Sequence, residues 1–294
     1  MNIMRILVIG AGQMGSGIAQ VCAQAGHEVL LNDREEKFVE HGIRSIEKNL
    51  DRAVEKGRMT AEERGRVLSH IDPRLHFTNL DVAIAIEAAT ENLHLKLEIF
   101  RKLNESTAPE TILASNTSSI SITKLAAVCD NPGRVIGMHF MNPVPVMKLV
   151  EVIRAIQTTD ATAKFVHDLA AQLGKTTAES RDMPGFIANR ILMPLINEAV
   201  FALFQGVGTP DAIDTVAKLG LNHPMGPLEL ADLIGLDTCL AIMEVLYDGL
   251  GDQKYNPCAL LRQYVDAGWY GRKTGRGFYT YENGRKVSAE AVPA

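Results

Sequence analysis

Three glycines near the beginning of the chain have the spacing of a phosphate-binding turn. Gly10, Gly12 and Gly15 form the pattern G-x-G-x-x-G directly after a short aliphatic run. Such glycines allow a tight turn, close approach of the backbone to a pyrophosphate and close packing of a helix on a strand. The helix that begins there would present N–H groups and a positive dipole end to the phosphates. The alternative is a glycine turn with only a packing role.

An acidic residue stands where the ribose of a dinucleotide would be bound. Asp33 closes the second predicted strand, at about the 20-residue distance from the glycines that is typical of this motif. A carboxylate there accepts a hydrogen bond from a ribose 2′-hydroxyl and repels a 2′-phosphate, so the sequence favours NAD over NADP. Arg34 follows directly, and an arginine that turned toward a 2′-phosphate would reverse this preference.

A histidine and a glutamate later in the chain have the residue types of an acid–base pair. His139 ends a predicted strand, Glu151 lies in the next one, and a proline-stiffened connection joins the two. If these strands pair, the two side chains can face each other. Histidine, with a reference pKa of about 6.5, can take the proton that an alcohol loses on oxidation, and a carboxylate would fix its tautomer. The alternative is that His139 only caps a strand and Glu151 faces solvent.

The elements that must position these residues alternate between strand and helix. A helical hairpin at about residues 35–70 interrupts the alternation, with Thr60 and Glu63 as a capping box. The pattern predicts a Rossmann-type doubly wound α/β sheet in residues 1–183. The predicted strands are Arg5 to Ile9, Glu28 to Leu31, Val82 to Ala88, Thr111 to Ala114, Val135 to His139, Met147 to Val152 and Thr176 to Glu179, and the predicted helices are Gln13 to Ala25, Asn92 to Thr107 and Ser121 to Val128.

The pattern changes beyond Asp182, where nearly every segment has a period close to 3.6 residues. Pro184 stands at a predicted first helical position, and residues 184–294 are predicted to form an all-α domain for substrate binding and dimerisation. Its apolar runs, Ile191 to Ala202 and Ala231 to Val245, exceed what a small helical domain buries alone. We therefore expect a homodimer through this domain.

Composition excludes several classes of function. The 294 residues include 30 Lys and Arg against 35 Asp and Glu, for a net charge of -5, which disfavours nucleic-acid binding. No apolar run approaches the roughly 20 residues that span a bilayer, and the opening MNIMRILVIG runs into a strand, which predicts a cytoplasmic protein. The four cysteines lack C-x-x-C spacing, so neither a metal site nor a redox pair is expected.

Seven motifs together resemble a known family, the 3-hydroxyacyl-CoA dehydrogenases, and within it the short-chain 3-hydroxybutyryl-CoA dehydrogenases of bacteria. The resemblance runs from Arg5 to about Tyr281. It implies NAD-dependent, reversible oxidation of an (S)-3-hydroxyacyl-CoA to the 3-oxoacyl-CoA, as in fatty acid and butanoate metabolism. The motifs are GAGQMGSGIAQ, EAATENLHLKLEIF, ASNTSSISIT, IGMHFMNPVPVMKLVEV, PGFIANRIL, HPMGPLELADLIGLD and GRKTGRGFYTY.

The resemblance also implies roles for individual residues. It makes His139 the general base and Glu151 its partner, while Ser118 and Asn189 bind the substrate around its reacting oxygens. Lys56, in the helical hairpin, matches a lysine that contacts CoA phosphates. The positions that match dinucleotide contacts in relatives are Glu91, Lys96, Ser118, Asn142 and Lys273.

Other functions remain open on the sequence. The same chemistry could act on a dicarboxylic acyl-CoA or on a free hydroxy acid. A relative that keeps the fold without catalysis, as lens crystallins do, is a further alternative, which the intact His139, Glu151 and Asn189 disfavour.

Overall fold

The computed structural model describes residues 3–78 and 80–289, and the chain divides into two compact units between Met183 and Pro184. The first unit is an eight-stranded sheet flanked by helices. Its strands are β1 (Arg5–Ile9), β2 (Glu28–Asn32), β3 (Ile71–Arg74), β4 (Ile84–Glu87), β5 (Ile112–Ser115), β6 (Val135–Phe140), β7 (Leu149–Arg154) and β8 (Thr176–Arg181). Its helices are α1 (Gln13–Gln24), α2 (Glu36–Glu55), α3 (Ala61–Ser69), α4 (Leu93–Ser106), α5 (Ile122–Ala126) and α6 (Asp160–Gln172).

The order of strands in this sheet is β3-β2-β1-β4-β5-β6-β7-β8. Every described neighbouring pair is parallel except β6 with β7, which is antiparallel. Helices cover the sheet, and its central strands are almost entirely apolar and buried, as parallel strands between two helical layers must be. The predicted doubly wound sheet with an inserted helical hairpin is confirmed.

The structure adds two elements to those predicted for the first unit. β3 lies at the edge of the sheet beside β2, where Pro73 is tolerated because an edge strand can lose one N–H donor. α6 connects β7 to β8, since two parallel neighbours need a crossover between them. Its buried face, which includes Val166 and Leu169, has helical spacing in the sequence.

The helical hairpin packs close to the glycine turn. A Cβ at Gly42 of α2 would lie 2.7 Å from the carbonyl oxygen of Ala11, so only glycine permits this approach. The predicted capping box begins α3: the Glu63 N–H donates to Thr60 Oγ1 over 3.1 Å, and the Thr60 N–H donates to the Glu63 carboxylate over 2.8 Å. The hairpin is thus positioned by a close backbone approach of α2 to the glycine turn and by a local capping box at the beginning of α3.

The second unit is helical, as predicted, and contains in addition a two-stranded hairpin. Two buried carboxylates organise it. Asp214 accepts hydrogen bonds from the N–H groups of Leu228 and Glu229 and from the Tyr279 hydroxyl. Asp232 accepts from the backbone N–H groups of Phe278 and Tyr279 and from the Tyr281 hydroxyl. Burial raises the pKa of Asp232 to about 6. The elements are α7 (Ala188–Phe204), α8 (Pro210–Thr215), α9 (Pro227–Ile234), α10 (Leu236–Leu250), α11 (Ala259–Asp266), β9 (Tyr279–Glu282) and β10 (Arg285–Ala289).

None of the helices within residues 3–78 and 80–289 combines the length and the apolar character that crossing a membrane requires.

Candidate functional site

The glycine turn joins the end of β1 to the beginning of α1, and each of its glycines has a different environment. Gly10 has φ +95°, and a Cβ there would lie 2.6 Å from the Ala88 carbonyl oxygen. A Cβ at Gly15 would lie 1.7 Å from the Gly10 carbonyl oxygen. A Cβ at Gly12 would meet no heavy atom within 4 Å. Gly10 and Gly15 are therefore required by the protein's own packing, while Gly12 borders open space at a helix N-terminus without a side-chain cap, which fits a pyrophosphate.

Asp33 holds the glycine turn from the end of β2. Its carboxylate accepts the Ala11 N–H over 2.8 Å and the Arg34 N–H over 2.7 Å. The Arg34 side chain is largely exposed, with its Nε 3.4 Å from Glu35 Oε1 and its guanidinium 5.2 Å from the centre of the Phe38 ring. Asp33 thus shapes the turn, and Arg34 lies among side chains of the first turn of α2.

His139 and Glu151 are direct register partners across the antiparallel strands β6 and β7. The strand pairing on which the sequence analysis made their contact conditional is therefore present. His139 Nδ1 lies 2.9 Å from Glu151 Oε2, and the two residues are 8% and 1% exposed. A carboxylate with so little exposure favours a proton on the nitrogen that faces it, which is Nδ1.

Hydrogen bonds join the connection between β6 and β7 to α1 and to the residue that precedes β8. The Asn142 side-chain oxygen accepts a hydrogen bond from the Gln13 amide, in the first turn of α1, over 3.1 Å. The Lys175 ammonium, just before β8, donates to the carbonyl oxygens of Val144 and Met147 over 2.6 and 2.7 Å. The sequence did not single out Gln13 or Lys175, since both contacts join distant segments. The glycine turn and the His139 strand are consequently held together.

Glu91 organises the turn that follows β5. Its Oε1 accepts hydrogen bonds from the Thr117 hydroxyl over 2.5 Å and from the N–H groups and hydroxyls of Ser118 and Ser119 over 3.0 to 3.3 Å. Burial opposes its ionisation most strongly, but Lys96 and these hydrogen bonds together lower the pKa of Glu91 below its usual value. Glu91 and Ser118, predicted separately, are therefore brought together.

Lys96 lies in a buried ion pair with a glutamate that the sequence did not single out. Its Nζ is 2.6 Å from Glu87 Oε1, 3.2 Å from the Ala89 carbonyl oxygen and 3.5 Å from Glu91 Oε2. Lys96 is 1% exposed and Glu87 is 0% exposed. The signal for Glu87 was a charged residue that ends an otherwise apolar strand, Ile84–Glu87.

The remaining predicted residues lie apart from this cluster or in the second unit. Lys56 is exposed at the C-terminus of α2. Asn189 lies in the first turn of α7 and is 9% exposed. Lys273 forms an ion pair with Asp237, with a shortest distance of 2.6 Å. Their roles stay predictions.

Groups of metal-ligating side chains were also sought. The described residues contain no group of three or more His, Cys, Asp or Glu arranged to hold a metal ion.

The comparison with protein families covers both units. Residues 5–183 match the NAD binding domain of 3-hydroxyacyl-CoA dehydrogenase, and residues 185–281 match its C-terminal domain. The chain belongs to the 3-hydroxyacyl-CoA dehydrogenase family. The predicted nicotinamide cofactor and the predicted class, an oxidoreductase that acts on a CH–OH group, are confirmed at this level.

Individual 3-hydroxyacyl-CoA dehydrogenases resemble the chain over nearly its full length. A 3-hydroxybutyryl-CoA dehydrogenase of Bradyrhizobium diazoefficiens is 54% identical over 97% of this chain and 98% of its own. A 3-hydroxyadipyl-CoA dehydrogenase of Escherichia coli is 40% identical over 99% of this chain and 62% of its own. The crystal structure of the (S)-3-hydroxybutyryl-CoA dehydrogenase PaaH1 from Ralstonia eutropha superposes with a TM-score of 0.93 at 49% identity, over 96% of this chain and 100% of that one.

The different environments of Gly12 and Gly15 give a first prediction. We expect Gly15→Ala to lower the free energy of unfolding by about 3 kcal/mol or more, because its Cβ would overlap the Gly10 carbonyl oxygen. We expect Gly12→Ala to melt at the wild-type temperature but to bind NADH at least about tenfold more weakly, because the methyl group fills the space left for phosphate.

Thermal melting without dinucleotide and calorimetric titration with NADH measure the two effects separately. Wild-type NADH affinity in Gly12→Ala would show that the pyrophosphate does not lie against this glycine.

Proposed function

We propose that this protein catalyses the NAD-dependent, reversible oxidation of an (S)-3-hydroxyacyl-CoA to the 3-oxoacyl-CoA, with 3-hydroxybutyryl-CoA as its short-chain substrate, in fatty acid and butanoate metabolism. The observation that carries the proposal is the 2.9 Å contact between His139 and Glu151. The same unit contains a glycine turn that fits a dinucleotide, and the Gln13–Asn142 hydrogen bond joins the helix after this turn to the β6–β7 connection. Relatives named 3-hydroxybutyryl-CoA dehydrogenase support the choice of substrate.

In the oxidation direction, His139 takes the proton of the substrate's 3-hydroxyl at Nε2. Glu151 keeps Nδ1 protonated and stabilises the imidazolium that forms, because its charge is almost completely removed from water. When bound, the nicotinamide ring supplies the acceptor for the hydride that leaves C3. In the reverse direction, His139 returns the proton to the oxygen of the 3-oxo group.

The substrate's oxygens are bound by Ser118 and Asn189. Glu91 orients Ser118 by accepting its N–H and hydroxyl, so the serine is positioned before substrate binds. Lys56 places a point charge at an exposed helix end, which suits the phosphates of CoA. The dinucleotide is held by the glycine turn and by a further set of residues: Asp33, Glu91, Lys96, Ser118, Asn142 and Lys273.

His139→Gln tests the proposed base. We expect kcat with acetoacetyl-CoA and NADH to fall by at least about 10²-fold, since general acid–base catalysis contributes about 10²–10⁴-fold. The exposed His41 provides the matched control, and His41→Gln should keep the wild-type rate. Initial rates of NADH consumption are measured for both variants. Near-normal turnover of His139→Gln would refute the assignment.

The cofactor is NAD, because the Asp33 carboxylate at the end of β2 would repel a 2′-phosphate. We expect kcat/KM with NADH to exceed that with NADPH by at least about tenfold, a difference of about 1.4 kcal/mol. Arg34→Ala should leave the NADH value unchanged. If Arg34 bound a 2′-phosphate instead, the wild type would prefer NADPH and Arg34→Ala would lose that preference.

A dicarboxylic acyl-CoA is a second candidate substrate. The relative named 3-hydroxyadipyl-CoA dehydrogenase, 40% identical to this chain, supports it. A higher kcat/KM for a 3-oxodicarboxylyl-CoA than for acetoacetyl-CoA would favour this candidate over the short-chain one.

The second unit carries an apolar surface that suits a second copy of the chain. Val207, Val216 and Leu221 are 61 to 75% exposed and line one cleft of about 350 Å³. Exposed apolar side chains this close together mark interaction surfaces. The protein is accordingly a homodimer through this unit. We also infer a cytoplasmic location, which the four unpaired cysteines support.

Leu221→Asp tests this dimer. We expect the variant to be a monomer at micromolar concentration, because a buried unpaired carboxylate opposes association. Val287→Asp, at a 57% exposed position in β10, should remain a dimer. Light scattering measures both masses; a monomeric wild type, or a dimeric Leu221→Asp, would contradict the proposed interface.

A further inference from the structure

The carboxylate of Glu87, at the end of β4, is completely buried and accepts hydrogen bonds from three donors. Its Oε1 accepts the Lys96 ammonium over 2.6 Å and the Ala89 N–H over 2.7 Å. Its Oε2 accepts the Ser115 hydroxyl over 2.6 Å. A buried ion is costly unless it is paired and hydrogen-bonded, so this arrangement is specific to a carboxylate at position 87.

Two routes lead from Glu87 to the turn formed by Thr117, Ser118 and Ser119. The first is ionic: Lys96 Nζ lies 3.5 Å from Glu91 Oε2, and Glu91 Oε1 accepts the N–H groups of Ser118 and Ser119. The second is a hydroxyl relay, in which Ser115 Oγ donates to Glu87 and accepts the Thr117 N–H over 3.2 Å. Both routes end on the backbone of this turn.

We propose that Glu87 is a positioning residue that sets the Ser118 turn through these two routes. The proposal rests on the proposed function, in which Ser118 binds the substrate. Lys96 is part of the same arrangement, because it is 1% exposed, its ammonium donates to Glu87 and to the Ala89 carbonyl oxygen, and it lies 3.5 Å from Glu91 Oε2. Besides its proposed contact with the dinucleotide, Lys96 acts on the Ser118 turn through Glu91.

The charge of Glu87 is the decisive property. With a neutral side chain at position 87, the buried Lys96 ammonium keeps Glu91 as its carboxylate partner and draws it closer. Glu91 then moves away from the N–H groups and hydroxyls of the turn, which lose their shared acceptor. Ser118 remains in the sequence but is no longer held in one orientation.

Glu87→Gln tests the proposal by hydrogen exchange and kinetics in the full chain. The amide hydrogens of residues 117–120 all donate to Ser115 Oγ, Glu91 or Thr117 Oγ1. We expect them to exchange at least about tenfold faster, as the loss of one charge-assisted hydrogen bond implies. We expect kcat with acetoacetyl-CoA to fall by a similar factor. Wild-type exchange in this segment would overturn the proposal.

A double-mutant cycle separates positioning from a general loss of stability. If Glu87 acts through Ser118, then Glu87→Gln should change kcat by less than about threefold in a Ser118→Ala background, because the positioned group is already absent. If the decreases in kcat caused by Glu87→Gln and by Ser118→Ala multiply in the double variant instead, Glu87 does not act through Ser118, and the proposal fails.

Asp214→Asn is the matched control, because Asp214 is an equally buried carboxylate, 1% exposed, in the second unit. It should lower the melting temperature without changing exchange at residues 117–120. Accelerated exchange at residues 117–120 in Asp214→Asn would show that any buried carboxylate produces the effect, and would overturn the proposal.

Ser115→Ala is the alternative test if Glu87→Gln does not fold. It removes the hydroxyl that links Glu87 to the Thr117 N–H, and Glu87 keeps Lys96 as its ionic partner. It should speed exchange of the Thr117 amide and lower kcat less than Glu87→Gln does, and an unchanged Thr117 amide would contradict the relay. If the wild type does not turn over any acyl-CoA, the proposed function is refuted, while the exchange data still decide whether Glu87 holds the turn.

Discussion

The carboxylates of this site require hydrogen-bond donors, and the donors that they bind determine how its segments are arranged. Glu87 and Glu151 are removed from water, whereas Asp33 is half-buried and the Glu91 side chain is 37% exposed, and each accepts donors from a segment distant in sequence. Because an unpaired buried charge costs several kcal/mol, each contact fixes the segment that donates it. Asp33 fixes the glycine turn, Glu91 fixes the Ser118 turn, and Glu151 fixes one tautomer of His139.

The reversal of strand direction between β6 and β7 makes the acid–base pair possible. In a parallel sheet the carboxyl ends of the strands share one edge, where open α/β sheets bind their ligands. His139 is at that end of β6, and only an antiparallel neighbour brings Glu151 opposite it with a short connection. Gln13 and Lys175 then fasten this connection to α1 and to the beginning of β8. The glycine turn and the His139–Glu151 pair are therefore linked by hydrogen bonds within the first unit.

Much of this arrangement follows from local sequence pattern, and the remainder does not. The glycine turn and the capping box at Thr60 depend on residues close together in sequence, so pattern and spacing predicted them. For His139 and Glu151 the pattern gave the residue types and left their contact conditional on the pairing of β6 with β7. β3 contains a proline and is short, so its pairing with β2 has no local signal. The hairpin β9–β10 interrupts a helical unit and is held by Asp214 and Asp232, far earlier in the chain. The role of Glu87 could not be predicted from sequence, because it depends on contacts with Lys96 and Ser115, and through Lys96 with Glu91, which only the fold brings together.

We propose that the protein acts on an acyl-CoA rather than on a free acid, with His139 exchanging the proton and the bound nicotinamide accepting or supplying the hydride. Initial rates of NADH consumption, followed by nicotinamide absorbance with acetoacetyl-CoA and with free acetoacetate at equal concentrations, test it most directly. The account predicts rapid consumption with acetoacetyl-CoA and at least about 10²-fold lower kcat/KM with free acetoacetate, because binding of the remote CoA group supplies the energy that positions the reacting carbon. Equal rates with the two compounds, or no consumption with acetoacetyl-CoA, would contradict it.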